Sequence, residues 1–315
     1  MRIVVGDAAT LGADLDLSPL EALGALTVYA GTAPHEMRAH FDGADVAVIN
    51  KLRICRETLG DAPTLRLVCV CATGYDNVDL DYCRAHGIGV CNVKGYSTDS
   101  VAQLTLAMAL SLATNLTSFR THVASGAYTA GGVANCLVPV FHELRGKTWG
   151  VVGYGNIGAQ VAQVAQALGC RVLAYARTQK QGVENASLDV LLAESDVISV
   201  HLPLTPQTRE LIGAAEIAKM KKGVIFINVA RGAVTDEAAL ADAVRDGKLG
   251  GLGVDVYATE PFGEEHPFFA IRDRENVCLT PHMAWGAAEA RARCLDEVAQ
   301  NIRAYVLHER RSRVD

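Results

Sequence analysis

The sequence predicts an α/β protein built from two doubly wound domains, each with a parallel sheet. Short apolar runs alternate with stretches of helical periodicity along its 315 residues, a pattern typical of repeated parallel strand–helix units. A long apolar helix, predicted from about Thr98 to about Asn115, separates two such series. In the second series a glycine-rich loop, GYGNIG, lies between an apolar strand and an apolar helix. This arrangement favours a nucleotide-binding unit in the second domain.

The predicted strands can be placed in chain order. Those of the first series are RIVV, DVAVIN, RLVCV and GIGVCNV, and those of the second are TWGVV, RVLAY, DVISVH, GVIFINV, GLGVDVY and VCLTP. After the long helix, we expect the segment SGAYTAGGVANCLVP to be irregular because it is rich in glycine. The last helix, AAEARARCLDEVAQNIRAYV, follows the second series directly, so we expect the chain to return to the first domain.

This chain course predicts a discontinuous first domain. We assign residues 1–98 and 286–315 to a substrate domain and residues 99–285 to a dinucleotide-binding domain. Open α/β sheets bind ligands beyond the carboxyl ends of their strands, and ligand sites are common at domain boundaries. We therefore expect the site in the cleft between the two domains. The basic terminal run HERRSRVD is interpreted as a solvated tail, and the alternative is a docking site.

Composition and charge narrow the class of protein. The chain is 50% hydrophobic and 20% charged, as in ordinary globular proteins, and its formal net charge of -6 argues against nucleic acid as a partner. The long helix, interrupted by Gln103, is too short for a membrane span, and Asp7 comes before any apolar core of a secretory signal. Nine cysteines without a Cys-x-x-Cys pair indicate reduced thiols, with Cys69 and Cys71 as core positions and no metal site. We therefore expect a cytoplasmic protein.

Each glycine of the GYGNIG loop has a physical role at a pyrophosphate site. Gly153 permits a tight turn, Gly155 lets the backbone approach the pyrophosphate, and Gly158 lets the helix and strand pack closely. The helix N-terminus adds amide donors and a partial positive charge. A glycine-rich turn without a ligand is the alternative interpretation. The predicted dinucleotide contacts of this loop are Gly153, Tyr154, Gly155, Asn156, Ile157 and Gly158.

The end of the following strand indicates which dinucleotide is bound. An acidic residue usually stands there and accepts a hydrogen bond from the ribose 2′-hydroxyl of NAD, whereas this strand ends in Tyr-Ala-Arg-Thr. Ala176 removes the repulsion that a carboxylate exerts on a 2′-phosphate, while Arg177 supplies a cation and Thr178 a hydroxyl donor. Lys180 offers a second cation. We therefore predict NADP as the preferred cofactor. The alternative is that Arg177 points into solvent and NAD binds with one hydrogen bond fewer.

Three further polar residues follow apolar strands of the second series. Arg231 comes after GVIFINV, Glu260 after GLGVDVY, and His282 after VCLTP. The guanidinium of Arg231 suits a carboxylate and polarises an adjacent carbonyl. The imidazole of His282 exchanges a proton with an alkoxide, and Glu260 fixes the ring through its other nitrogen. Together these residue types form a set suited to the reduction of a 2-keto acid by a nicotinamide cofactor.

These segments together resemble the D-isomer-specific 2-hydroxyacid dehydrogenase family. The resemblance is carried by GYGNIG, HLPLTPQT, NVARGAVTDEAAL, GVDVYATEP and LTPHMAW, and it is weakest near the N-terminus. It implies a Rossmann nucleotide-binding domain, a flavodoxin-like substrate domain, and the catalytic roles for Arg231, Glu260 and His282. It also implies a homodimer formed through the nucleotide-binding domain, with the long helix and the SGAYTAGGVANC arm as candidate contacts. Further dinucleotide contacts that the family implies are Leu202, Pro203, Thr208, Val229, Ala230, Arg231 and Asp255.

Two stretches resemble the glycerate dehydrogenase, or hydroxypyruvate reductase, members of the family. CATGYDNVDL is similar to the segment whose amides bind the substrate carboxylate, and NVKGYSTDSVAQ and the tryptophan of PHMAW match the same subgroup. The implied substrate contacts are Lys51, Ala72, Thr73, Gly74 and Trp285. Lys51 is alternatively a solvated loop residue, and Trp285 is alternatively a packing residue. Lys94 departs from the pattern, which usually has proline there.

The resemblance implies NAD(P)H-dependent reduction of a small 2-keto acid, hydroxypyruvate or glyoxylate, to D-glycerate or glycolate. The same residues also suit larger keto acids, such as phenylpyruvate or branched-chain keto acids. The alternative from another class is a dinucleotide-sensing, corepressor-like binding protein, because the fold also serves that role. Such a protein needs a surface for a partner peptide, and the complete Arg-Glu-His set favours catalysis.

Overall fold

The computed structural model describes residues 1–61 and 64–315. The chain forms two units, each with one parallel sheet. The predicted α/β class is confirmed. The strands are β1 (Arg2–Val5), β2 (Ala25–Val28), β3 (Val46–Ile49), β4 (Leu67–Val70), β5 (Gly89–Cys91), β6 (Thr148–Val152), β7 (Arg171–Tyr175), β8 (Glu184–Asn185), β9 (Val197–Val200), β10 (Val224–Asn228), β11 (Leu249–Val254) and β12 (Val277–Leu279). The α-helices are α1 (Ser18–Glu21), α2 (Met37–His40), α3 (Arg56–Leu59), α4 (Leu80–Ala85), α5 (Thr98–Ala113), α6 (Leu116–Ala124), α7 (Ala127–Gly131), α8 (Asn156–Ala167), α9 (Leu188–Glu194), α10 (Ala214–Lys219), α11 (Glu237–Arg245) and α12 (Ala288–Val306).

The first unit, Met1–Ser97 with Trp285–Asp315, has the strand order β2-β1-β3-β4-β5. β3 and β4 are buried along their whole length, because a parallel sheet is covered on both faces. Side chains alternate between the faces, so Cys69 and Cys71 point the same way and belong to the core that contains Leu295 of α12. The prediction that both cysteines are core residues is confirmed, since they are 0% and 1% exposed.

The terminal run HERRSRVD is not a solvated tail, so that prediction is wrong. Arg313 lies opposite Cys91 in an antiparallel bridge beside β5. Its guanidinium forms an ion pair with Asp315, with Nη2 2.5 Å from Oδ2. Arg311 forms a second ion pair with Glu297 of α12, with Nη2 2.6 Å from Oε2. The run therefore extends the edge of the first sheet, and its arginines bind carboxylates of the same unit.

The second unit, Thr98–Ala284, has the strand order β12-β11-β10-β9-β6-β7-β8. From β6 the chain runs outwards to β7 and β8, and it then returns to β9 on the other side of β6. Such a reversal is the switch point at which doubly wound sheets bind ligands. Helix α5 packs closely on β11. If Gly253 of β11 had a Cβ, that atom would lie only 3.2 Å from Sδ of Met108 in α5. This close packing explains glycine inside an otherwise apolar strand.

The chain that follows α5 is more helical than predicted. α5 ends at Ala113, and α6 and α7 follow it, so the stretch expected to be irregular begins with a helix. Among the described residues, no single helix is long and apolar enough to cross a membrane. α5 and α6 meet those criteria only as a pair, and they are bent by 65° relative to each other.

Candidate active site

The glycine loop after β6 forms an open cradle at the start of α8. Gly153 has φ +101°, which favours glycine, and a Cβ on Gly158 would lie 2.1 Å from Gly153 O. Gly155 differs, because its φ is −87° and a Cβ there would meet nothing within 4 Å. Open space directly before a helix N-terminus fits a pyrophosphate, which the helix amides and dipole attract. Around this space, Asn156 is exposed, and Tyr154 and Ile157 are half-buried.

Two alanine substitutions separate packing from ligand binding in this loop. We expect Gly158→Ala to destabilise the second unit by about 2–3 kcal/mol, because the new methyl group overlaps the Gly153 carbonyl. We expect Gly155→Ala to change the free energy of unfolding by less than about 0.5 kcal/mol but to weaken dinucleotide binding about tenfold. Chemical denaturation and a fluorescence titration with NADPH measure the two quantities. Unchanged dinucleotide affinity in Gly155→Ala would show that no pyrophosphate lies against this residue.

The loop after β9 lies against the glycine loop. Leu202 Cδ2 is 3.0 Å from the position that a Cβ on Gly153 would take. Thr208 fixes the shape of the loop, because its Oγ1 donates to Pro203 O at 2.6 Å and accepts from Thr205 N–H at 2.8 Å. Leu202, Pro203 and Thr208 therefore share one loop beside the cradle, and their contact with a dinucleotide stays a prediction.

His201 begins this loop, and we expect it to make the second unit sensitive to acid. Its Nε2 lies 2.9 Å from Ser199 Oγ, and its buried Nδ1 has no hydrogen-bond partner among the described residues. Burial lowers the pKa of His201 from 6.5 to about 3. The unfolded chain therefore binds the proton first, so the stabilisation is complete above pH 6.5 and is lost as the pH falls towards 3.

A glutamine at this position tests the acid sensitivity. His201→Gln keeps a donor for Ser199 and does not titrate. Between about pH 6 and pH 4, we expect the free energy of unfolding of the wild type to fall by about 1.4 kcal/mol per pH unit more than that of the variant. Denaturant titrations at a series of pH values measure the difference, and parallel curves for the two proteins would contradict the expectation.

The end of β7 carries the residues that predict a 2′-phosphate site. Ala176 is half-buried, and Arg177 and Thr178 are exposed. Arg171, at the other end of the same strand, forms ion pairs of 2.5 and 2.7 Å with two glutamates. Arg177, in contrast, has no ion pair or hydrogen bond within the described part of the chain. An exposed guanidinium without a protein partner is available to an anionic ligand.

The side chains of His282 and Glu260 form a hydrogen-bonded pair. His282 Nδ1 lies 2.6 Å from Glu260 Oε2, and Oε1 of the same glutamate accepts from Tyr257 N–H at 3.0 Å. Because the carboxylate is an acceptor, His282 presents Nδ1–H to it and keeps Nε2 as the atom that exchanges a proton. The two side chains are 21% and 29% exposed, so the pair is partly shielded from water.

A buried carboxylate holds the backbone around His282. His282 has φ +51°, an uncommon conformation for a residue with a side chain and one often found at functional sites. Oδ1 of Asp255 accepts from Thr280 Oγ1 at 2.6 Å and from Met283 N–H at 2.9 Å. Oδ2 of Asp255 accepts from Ala284 N–H at 2.9 Å. Asp255 is fully buried, and burial raises its pKa. Asp255 therefore holds the histidine loop, and its contact with a dinucleotide stays a prediction.

Arg231 lies in the loop after β10, which Asn228 shapes. Asn228 Oδ1 accepts from Ala230 N–H at 3.0 Å, and its Nδ2 donates to Arg231 O at 3.0 Å. The half-buried Arg231 donates from Nη1 to Ala230 O at 2.9 Å. Val229 is buried, whereas Ala230 is half-buried. The sequence indicated Asn228 only as a strand end, and a polar residue at that point was the available signal.

The Arg231 and Glu260 loops are in close contact through their backbones. A Cβ on Gly232 would lie 2.0 Å from Tyr257 C, so only glycine allows this approach. β10, β11 and β12 are neighbours in the parallel sheet. The structure therefore places Arg231, Glu260 and His282 after three adjacent strand ends at one edge of the sheet.

In the first unit, Lys51 follows β3 and is exposed. Its backbone N–H donates to Oδ2 of Asp7 at 2.6 Å, and Asn50 N–H donates to Oδ1 at 3.0 Å. Asp7 is 3% exposed, and burial raises the pKa of its carboxyl group. This carboxylate thus fixes the backbone of the Lys51 loop. Sequence reasoning missed that role, although a polar residue soon after β1 was a signal.

The substrate segment, residues 72–74, follows β4 and is held by residues after β5. Val93 N–H donates to Ala72 O at 3.0 Å, and Asn92 Nδ2 donates to Thr73 O at 2.7 Å. Thr73 Oγ1 in turn donates to Val93 O at 2.8 Å. Within residues 1–61 and 64–315, the backbone N–H groups of Thr73 and Gly74 donate to no acceptor. They are therefore available to a ligand such as a carboxylate.

Trp285 has a packing role in the first unit. It is half-buried against the core that includes α12, and it makes a T-shaped contact with Tyr96, with ring centroids 6.3 Å apart. Of the two interpretations that the sequence left open, packing is thus observed. A contact between Trp285 and the substrate stays a prediction.

Comparisons with known proteins agree with this geometry. Residues 106–284 match the family model described as D-isomer specific 2-hydroxyacid dehydrogenase, NAD binding domain. The chain is 36% identical to a glycerate dehydrogenase of Methylorubrum extorquens, with 87% of this chain and 86% of that protein covered. It is 36% identical to a hydroxypyruvate reductase of Blautia hydrogenotrophica, with 97% of each covered.

A solved structure shows the same relationship. The D-lactate dehydrogenase of Aquifex aeolicus, complexed with NAD and lactic acid, is similar with a TM-score of 0.86 and 30% identity. The similarity covers 98% of this chain and 96% of that one. The predicted family resemblance and the assignment as an NAD(P)-dependent oxidoreductase are confirmed. The chain belongs to the D-isomer-specific 2-hydroxyacid dehydrogenase family.

Proposed function

We propose that this enzyme reduces hydroxypyruvate or glyoxylate to D-glycerate or glycolate, with NADPH as the preferred cofactor. The observation that carries the proposal is the 2.6 Å pair of His282 and Glu260 beside the Arg231 loop. Relatives named glycerate dehydrogenase, hydroxypyruvate reductase and glyoxylate reductase support the substrate class.

The three side chains divide the chemistry of the reduction. A bound nicotinamide dinucleotide supplies the hydride. The Arg231 guanidinium attracts the substrate carboxylate and polarises the adjacent keto group, on whose oxygen negative charge develops. His282 donates the proton on Nε2 to that oxygen, and Glu260 stabilises the imidazolium before the transfer through Nδ1–H. In the reverse direction, the same Nε2 accepts the proton of the alcohol.

The first unit supplies substrate-binding groups in this proposal. The N–H groups of Thr73 and Gly74, which have no acceptor in the described chain, donate to the substrate carboxylate. Asp7 fixes the backbone of Lys51, and we propose that the ammonium group of Lys51 is a further substrate contact. The hydrogen bonds that hold residues 72–74 keep these donors in place before the substrate arrives.

A substrate panel tests the proposed reaction. Oxidation of NADPH and of NADH is followed in parallel with hydroxypyruvate, glyoxylate, pyruvate and phenylpyruvate. We expect hydroxypyruvate or glyoxylate to have the highest kcat/KM. If phenylpyruvate had the highest kcat/KM, the proposed substrate would be wrong, but the proposed reaction type, reduction of a 2-keto acid, would still hold. An absence of turnover with tight dinucleotide binding would favour the sensing protein instead.

We propose that the enzyme is a homodimer formed through an apolar surface of the second unit. Nine exposed large apolar side chains lie between residues 110 and 141, and exposed apolar patches often mark protein interfaces. They are Leu110, Leu116, Val123, Tyr128, Val133, Leu137, Val138, Val140 and Phe141. The family resemblance supports the same surface as the contact between copies.

Charge inserted into this surface tests the dimer. Leu137 and Val138 are 71% and 76% exposed, so their replacement by glutamate costs the monomer little packing. We expect Leu137→Glu/Val138→Glu to convert a dimer into a monomer in light scattering coupled to gel filtration. Leu307→Glu, at a residue 67% exposed in the first unit, is the matched control. A monomeric wild type, or a dimeric double variant, would contradict the proposed interface.

We also propose a reducing, cytoplasmic environment for this enzyme. All nine cysteines are free thiols, although Cys69 and Cys91 lie opposite each other on the neighbouring strands β4 and β5. Free thiols in such proximity are typical of a reducing compartment.

A further inference from the structure

Glu237, the first residue of α11, contacts the segment that carries Glu260 at two points. Its Oε1 accepts from Ala258 N–H at 2.9 Å, and its Oε2 lies 2.9 Å from His266 Nε2. The side chains of Glu237 and His266 are only 10% and 9% exposed. Ala258 and His266 flank Glu260, so one carboxylate holds the loop on both sides of the residue that binds His282.

The hydrogen bonds of His266 require an acceptor at Glu237. His266 Nδ1 accepts from Phe268 N–H at 3.2 Å, so the ring proton of a neutral imidazole lies on Nε2. That proton is donated to Glu237 Oε2. Both oxygens of Glu237 therefore act as acceptors, which only a carboxylate provides.

In the loop between these two points, Phe262 alone is half-buried, and its ring packs on Tyr257 with centroids 4.6 Å apart. Residues 258–261 and 263–265 are exposed and lie outside regular secondary structure. Glu260 nevertheless has to present Oε2 at 2.6 Å from His282 Nδ1. Its Oε1 accepts from Tyr257 N–H, whose peptide neighbour Ala258 is the residue that Glu237 holds. The position of the Glu260 carboxylate thus depends on backbone that Glu237 fixes.

We propose that Glu237 is a positioning residue for catalysis, acting through the loop that orients Glu260 against His282. This inference rests on the proposed function, in which His282 and Glu260 carry the proton transfer. Glu237 itself touches neither of them, since its carboxylate binds Ala258 and His266. Small displacements of a catalytic group are enough to lower turnover strongly, so loss of the two contacts affects kcat.

Asp236 provides a matched control, because it is an adjacent carboxylate with a purely helical role. It is the N-cap of α11, and its Oδ1 accepts from Ala239 N–H at 3.0 Å. Asp236→Ala removes the helix cap and lowers the melting temperature without removing a contact to the 258–266 loop. If activity were lost only because α11 is less stable, the loss would therefore appear in both the Asp236 and the Glu237 variants.

The experiment compares Glu237→Gln, Glu237→Ala and Asp236→Ala with the wild type. Glutamine is isosteric but accepts at only one oxygen, so it turns one of the two hydrogen bonds into a contact between donors. We expect kcat to fall about tenfold in Glu237→Gln and further in Glu237→Ala, with KM and dinucleotide affinity changed less than about twofold. Asp236→Ala should keep the wild-type kcat. Wild-type kcat in Glu237→Gln, or an equal loss in Asp236→Ala, would overturn the inference.

Hydrogen–deuterium exchange separates this inference from the proposed function. We expect faster exchange of the peptide containing residues 258–268 in both Glu237 variants, and unchanged exchange there in Asp236→Ala. This readout needs no substrate. If the wild type reduced none of the keto acids, the proposed function would fail while the exchange data still tested the loop contacts. Unchanged exchange in Glu237→Ala would reject the positioning role even in an active enzyme.

Discussion

Replacing His282 with alanine lowers kcat by about 10²- to 10⁴-fold while dinucleotide affinity stays within about twofold of the wild type. We expect this loss because, in the proposed mechanism, Glu260 binds His282 Nδ1 and Nε2 donates the proton. Without the imidazole, water has to protonate the developing alkoxide, and the preorganised donor is gone. Because the dinucleotide cradle lies at the glycine loop of β6 and α8, its affinity does not depend on the imidazole.

Steady-state turnover with hydroxypyruvate and a fluorescence titration with NADPH measure the two quantities separately. His35→Ala is the matched control, because His35 is exposed in the first unit and no role is assigned to it. Glu260→Gln is expected to retain more activity than His282→Ala, because it keeps an oxygen that accepts from Nδ1–H. Retention of more than about a tenth of the wild-type kcat in His282→Ala would show that another group supplies the proton.

The double substitution Ala176→Asp with Arg177→Ser shifts the kcat/KM ratio of NADPH over NADH by about 10²-fold towards NADH. The aspartate accepts from the ribose 2′-hydroxyl of NADH and repels a 2′-phosphate. Arg177 has no partner within the described residues, and its loss would remove the charge-assisted hydrogen bond that we propose it makes to that phosphate. Since the 2′-position is remote from the reacting carbon, the change is expected in KM for the cofactor and not in kcat.

Initial rates with each cofactor at a fixed keto acid concentration give the ratio. Arg274→Ser is the matched control, because Arg274 is an exposed arginine that precedes β12 at the opposite edge of the same sheet. It should leave the ratio unchanged. A wild type that prefers NADH, or a double variant with an unchanged ratio, would reject the 2′-phosphate site while leaving the reaction intact.

Sequence reasoning located the candidate site through the strand ends. Arg231, Glu260 and His282 each follow an apolar run, and parallel strands bring their carboxyl ends to one edge of a sheet. The glycine loop was identifiable for a similar reason, because its spacing serves a local turn between consecutive elements. Features that depend on residues close in sequence, or on the position of a residue at the end of a predicted parallel strand, were therefore predictable.

Long-range contacts could not be predicted in the same way. Asp255 holds backbone amides 28 and 29 residues away, and the sequence pattern around it indicates neither contact. The pairing of Glu237 with His266 spans 29 residues, and nothing in the local pattern of either residue indicates it. β2, with the sequence ALTV, was missed because it is exposed or half-buried along its length and lacks a continuous apolar run. Arg311 and Arg313 looked like tail residues because the ion pair of Arg311 with Glu297 and the bridge of Arg313 to Cys91 are visible only in the fold.

Stereochemical analysis of the product tests the central proposal most directly. The wild type is incubated with hydroxypyruvate and NADPH. Chiral chromatography separates and quantifies the two enantiomers of glycerate, and the amount formed is compared with the amount of NADPH consumed. We expect D-glycerate alone, in a one-to-one ratio with NADPH, because a keto acid held in one orientation by Arg231 and His282 offers only one face of its keto carbon to the hydride. Formation of L-glycerate, or NADPH consumption without glycerate, would contradict the proposal that this enzyme reduces hydroxypyruvate to D-glycerate.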